Sequence, residues 1–133
     1  MNQWLLSFFL FLVCVSAHTQ KPLKKKYLGI YQGIIGGYKI NTGAQFIDVA
    51  ETDIKVDLRK TDLLFKIGRN EMITNYTYEK KDKKTFIIRF IRDVDQTQEV
   101  LILNKKTKEM IREGVNPQPN AKLFKAKKKS RGL

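Results

Sequence analysis

Asp53-Ile54-Lys55-Val56-Asp57-Leu58-Arg59 alternates charged and apolar side chains without a break. Successive side chains of an extended chain point to opposite faces. This stretch is therefore a strand with Ile54, Val56 and Leu58 covered and its charges in water. The same period runs on downstream. Leu63, Phe65 and Ile67 form the next set, and Met72, Thr74, Tyr76 and Tyr78 share a face opposite Ile73, Asn75, Thr77 and Glu79. Phe86, Ile88 and Phe90 alternate with Thr85, Ile87, Arg89 and Ile91. Within 97–104, Val100-Leu101-Ile102-Leu103 is a continuous apolar run, which predicts a strand covered on both faces.

Short polar segments separate these runs: Arg59-Lys60-Thr61-Asp62, Gly68-Arg69-Asn70-Glu71, Lys80-Lys81-Asp82-Lys83-Lys84, Asp93-Val94-Asp95-Gln96 and Asn104-Lys105-Lys106-Thr107. Such spacing is that of consecutive antiparallel hairpins. Segments 27–35, 38–41 and 45–50 extend the pattern forward, and 108–113 and 122–125 extend it backward. No segment carries a capped helical stripe. The fold class is all-β, an antiparallel meander of about eight strands. Closure into a small barrel is expected, because an open meander would leave two bare edges. Pro117 and Pro119 exclude 116–120 from a central strand and make it a rigid connection that returns the chain to a final strand.

The two ends are of a different character. Residues 4–15 are apolar but too short to span a bilayer comfortably, and Val15-Ser16-Ala17 suits a signal-peptidase cut before His18. Residues 1–17 are read as a signal peptide, which places the mature chain outside the cytoplasm, secreted or periplasmic. The only cysteine, Cys14, leaves with that segment, so the mature chain holds no disulfide of its own. A lipid anchor on Cys14 is disfavoured by Val13, where a small residue is needed. The formal charge is +13, and all 13 acids lie between Asp48 and Glu113. The stretch 27–121 is close to neutral, and the excess sits in Lys21 to Lys26 and Lys122 to Arg131. The expected organisation is thus a signal peptide (1–17), a basic N-terminal segment (18–26), a β-barrel domain (27–125) and a basic disordered tail (126–133).

Leu28-Gly29-Ile30-Tyr31-Gln32-Gly33 opens the first strand, and its Gly29-Ile30-Tyr31 resembles the Gly-x-Trp with which lipocalins and their calycin relatives begin. With Gly114-Val115-Asn116-Pro117-Gln118-Pro119, the chain is also similar to small lipocalin-like exported proteins of Bacteroidetes. The resemblance implies a closed lipocalin-like barrel plugged at one end by the Tyr31 ring. It implies carriage of a small apolar ligand, and an arginine from a late strand crossing that ring, for which Arg112 is the candidate. Tyrosine stands where the family has tryptophan, and no disulfide pair is present.

No enzyme is expected, and no cofactor. With histidine and cysteine absent from the body, the usual triads and imidazole or thiolate metal sites are excluded. Asp48, Glu51, Asp53 and Asp57 alternate with apolar residues and read as the wet face of strands rather than a catalytic pair. Gly33-Ile34-Ile35-Gly36-Gly37 lacks the lysine and helix of a phosphate loop and suits a bent strand. His18, the single histidine, reads as a solvated terminus. Asn75-Tyr76-Thr77 matches a glycosylation sequon, which matters only in a eukaryotic source.

Two binding modes remain, beside a third role as an assembly or inhibitor subunit using an exposed strand edge. In one, Tyr31, Phe65, Tyr76, Tyr78, Phe86 and Phe90 line a pocket for a small apolar ligand, with tyrosine hydroxyls orienting it; the alternative is that the same rings fill a solid core. In the other, Lys24, Lys25, Lys26, Lys125, Lys127, Lys128, Lys129 and Arg131 contact an anionic envelope polymer or membrane; the alternative is a solvated pair of ends. Nucleic acid is disfavoured by export and by the lack of aromatics among these lysines. Nothing in the sequence indicates an oligomeric state.

Overall fold

A computed structural model describes residues 21–127. The expected signal peptide and the end of the tail, with Lys128, Lys129 and Arg131, lie outside the described residues. Among the described residues, eleven strands follow a short 3-10 turn at Lys25–Tyr27. They are β1 (Gly29–Ile35), β2 (Tyr38–Asn41), β3 (Phe46–Val49), β4 (Thr52–Leu58), β5 (Asp62–Ile67), β6 (Asn70–Asn75), β7 (Thr77–Lys80), β8 (Thr85–Ile91), β9 (Gln98–Asn104), β10 (Glu109–Arg112) and β11 (Ala121–Lys125). Nine make one antiparallel sheet, in the order β6-β5-β4-β1-β11-β10-β9-β8-β7, nearly closed into a barrel. The other two, β2 and β3, form a separate hairpin between β1 and β4.

Every ladder follows chain order except the two that β1 makes. It pairs with β4 along its whole length, from Gly29 opposite Leu58 to Ile35 opposite Thr52. Its other edge takes β11, with Tyr31 opposite Lys125 and Gly33 opposite Leu123. A Cβ on Gly33 would collide with the Lys122 carbonyl oxygen, so the approach of β11 requires glycine there. Gly29 has φ +139°, a conformation side chains rarely permit, which accounts for glycine at the start of Gly29-Ile30-Tyr31.

The two ends of the sheet, β6 and β7, are consecutive in the chain and meet through Tyr76. The residues read as one alternating strand keep their parity across it, but β6 pairs with β5 and β7 pairs with β8. The chain itself thus joins the two sheet ends there without a ladder between them, and a slot of about 330 Å³ between Thr74–Thr77 and Arg89–Ile91 marks the seam.

Period two decides the interior. Tyr31, Val56, Phe65, Phe86, Ile88, Leu101, Met110 and Leu123 are all buried, each flanked in its strand by residues facing out. Complete burial of such a side chain contributes about 1.5–3 kcal/mol. The run Val100–Leu103 is corrected by this pattern: Leu101 and Leu103 are buried, whereas Val100 and Ile102 are only half-buried on the outer wall. There Ile102 stands between Ile87 and Ile111, so the continuous run reflects an apolar outer stripe and not a second core layer. The packed domain also reaches further back than residue 27, because Leu23 is 5% exposed and belongs to the core.

Gly33→Ala should destabilise the fold by about 1–3 kcal/mol through forced separation of β1 and β11. Gly36→Ala, whose Cβ would meet nothing nearer than Pro119 at 4.0 Å, should change stability by less than about 0.5 kcal/mol. Equal urea midpoints for the two variants would mean that β11 does not depend on this approach.

Candidate functional site

The six aromatic candidates come together inside the barrel, mostly on one another. Phe65 and Phe90 meet edge to face with centroids 4.9 Å apart, and Tyr78 meets Phe86 in the same way at 5.5 Å. Tyr27 closes on the Phe86 ring at 5.2 Å. Such edge-to-face pairs place the positive ring edge on the negative face of the neighbour. The hydroxyls are used by the backbone. Tyr31 donates to the Tyr27 carbonyl at 2.6 Å, Tyr76 to the Arg59 carbonyl at 2.6 Å, and Tyr78 to the Lys21 carbonyl at 2.5 Å. Burial, with Tyr27 beside it, pushes the Tyr31 phenol up to about 12. Burial, with Tyr78 and Asp62 nearby, does the same for Tyr76, also to about 12.

A buried ion pair that sequence reasoning missed crosses the interior. The Arg112 Nη2 donates to Glu99 Oε1 and Oε2 at 2.8 and 2.9 Å, and Nε donates to Oε2 at 3.1 Å. Nη1 donates to Gln118 Oε1. Both charged side chains are fully inaccessible. The signal was present, since Glu99 is in phase with Leu101 and Leu103, and Arg112 is in phase with Met110. Lipocalin likeness assigned Arg112 to the Tyr31 ring, and the register corrects that. Arg112 stands opposite Ala121 and Tyr31 opposite Lys125, far along the same strand. The ring under its guanidinium is Phe65, at 5.9 Å.

The barrel end at Tyr31 and the 3-10 turn, the plugged end of the lipocalin expectation, gathers the charge. The 3-10 turn is held by the Tyr27 amide on the Lys24 carbonyl at 3.0 Å, and the ammonium of Lys125 donates to the Lys26 carbonyl at 2.8 Å. The described basic segments 24–26 and 125–127 therefore lie side by side. Alternate turns of the meander join them there: Leu58 opposite Gly29 brings Arg59 and Lys60, and Glu109 opposite Phe124 brings Lys108. Lys105 caps the Phe86 ring at 4.2 Å. Between these elements lies an open cleft of about 1290 Å³. Lys25, Lys26, Arg59, Lys60, Lys108, Lys125 and Lys127 surround it, Leu28, Ile30, Leu58 and Ala126 supply its apolar part, and no acidic residue lines it. Of the predicted basic contacts, Lys25, Lys26, Lys125 and Lys127 line the cleft, and Lys24 is exposed on the adjoining turn.

Sequence reasoning missed Arg59 and Lys60 because it took their turn as punctuation, and Lys108 because it read that residue as the start of a strand. Counting alternate turns of a meander to the same end would have found them. The opposite end is acidic in balance, with Glu51, Glu71, Asp93, Asp95 and Glu113 against Arg69 and Arg92. It opens in a cleft of about 620 Å³ that reaches Phe65, Ile67, Met72 and Gln118. Among the described residues no three His, Cys, Asp or Glu side chains are grouped as metal ligands, and no helix is long and apolar enough to cross a membrane.

Spectrophotometric titration should show two late tyrosines, near pH 12, one of which disappears in Tyr31→Phe. Their folded values are raised above the ordinary 10.0. The stability they contribute is therefore complete below pH 10 and lost as pH rises towards 12. For the ion pair, Glu99→Gln should cost about 3–5 kcal/mol by leaving Arg112 buried without its partner. Glu99→Leu combined with Arg112→Met should cost less than the sum of the separate changes; additive losses in a denaturant double-mutant cycle would refute direct coupling.

No protein-family model, no curated protein and no solved structure matches this chain.

Proposed function

We propose that this protein is an exported, non-enzymatic β-barrel module that engages an anionic envelope surface or polymer through its plugged end. The observation that carries this is the cleft where Lys25, Lys26, Lys125 and Lys127 meet Lys60 and Lys108 with no acid among the lining residues, Arg59 beside them being paired with Asp62 at 2.8 Å. Like charges held together by a rigid frame add their potentials, and polyanions are drawn to such a patch from a distance. Export rests on the apolar segment and cleavage site within 1–17.

A second reading, carriage of a small apolar ligand in a lipocalin-like manner, has support at the other end. The cleft there reaches Phe65 and Met72, beside a polar rim of Arg69 and Asn70. Its weight is smaller because the interior rings already pack on one another and their hydroxyls are bonded.

The two readings separate by salt. Binding of dextran sulfate at the plugged end should weaken steeply as ionic strength shortens the screening length, whereas uptake of an uncharged fluorescent lipid probe should not. Lys25→Glu, Lys60→Glu and Lys108→Glu together should lower dextran sulfate affinity by about tenfold or more. Unchanged affinity in that triple variant would overturn the assignment of the site.

A further inference from the structure

We infer that the plugged-end cleft is built for an anionic amphiphile, the head and first methylenes of a membrane lipid, rather than for a bare polyanion. This rests on the proposed anionic binding and specifies its ligand. A surface meant only for polyanions needs exposed cations on any polar scaffold. Here the cations form the rim of a concavity whose accessible apolar wall is Leu28, Ile30 and Ala126, with Leu58 buried beneath it.

The geometry explains why apolar residues line this cleft. Tyr31 points into the barrel, so its neighbour Ile30 faces out, opposite Asp57 on β4. The backbone of Ala126 is pinned to the same place, its amide donating to the Ile30 carbonyl at 2.7 Å. Ala126 is exposed and Ile30 is half-buried, in the middle of an otherwise lysine-rich end. A phosphate placed among Lys26, Lys60 and Lys108 would carry its attached chain onto these two residues. Charge then supplies attraction and orientation, and apolar contact discriminates a lipid from a soluble polymer.

The test uses the mature chain and monomeric alkyl phosphates from ethyl to octyl, with dextran sulfate as the polyanion control. Affinity should rise about threefold per added methylene while the chain still finds wall. Ile30→Thr with Ala126→Asn, both surface changes that leave the cations in place, should flatten the series and leave dextran sulfate binding as it was. Octyl phosphate should also displace the protein from vesicles of phosphatidylcholine and phosphatidylglycerol. Affinity independent of chain length, or vesicle binding that octyl phosphate does not relieve, would overturn this inference while leaving anionic binding intact. Loss of dextran sulfate and alkyl phosphate binding alike in the wild-type chain would overturn both.

Discussion

The seat of β1 between β4 and β11 is the constraint on which the rest depends. Without it the chain is two separate meanders, β4-β5-β6 and β7 through β11, each with an unpaired edge beside a half-made core. β1 supplies both missing ladders, and Gly33 lets the second form by leaving room for the Lys122 carbonyl. Tyr31, two residues away on the same strand, is then completely buried and tied to the Tyr27 backbone. One strand thus joins the two halves and ties Tyr31 to the 3-10 turn.

The barrel formed in this way works as a frame. Its interior is occupied by paired rings and by the Glu99–Arg112 pair, whose two charges are taken fully out of water and satisfied by each other and by Gln118. Such a pair adds little net stability over a well-packed apolar pair, but breaking it is costly, so it specifies one arrangement of β9 against β10. What the frame presents is polarity along its axis. Antiparallel strands send alternate turns to opposite ends, and in this chain the lysine-bearing turns fall at the end where Lys26 meets Lys125. A charge distribution that looks nearly neutral along 27–121 becomes strongly segregated in space.

Much of the fold was legible because it depends on local alternation. The strands at 53–59, 63–67 and 85–91 follow from period two, and the turns between them from short polar segments. The run Val100–Leu103 misled for a physical reason: apolar residues on the outer wall of β8, β9 and β10 satisfy β-propensity and cross-strand contact without being core. The break at Tyr76 was invisible because a strand that changes partners keeps its alternation. The candidate site was legible in part. Its end lysines stand out in sequence, whereas Arg59, Lys60 and Lys108 join them only through the ladders.

By itself the sequence determined the class of structure, all-β and antiparallel, and which face of most strands is covered. Alternation is a property of neighbours in the chain, and hydrophobic burial acts on it directly. It also determined that histidine and cysteine chemistry is absent from the body and that the charge excess is basic. Only the tertiary structure decided that β1 sits between β4 and β11, that Glu99 and Arg112 meet, and that segments 25–30 and 125–127 share one cleft with three mid-chain cations. Those facts depend on contacts between residues far apart in sequence, and such contacts are set by ladder register and closure.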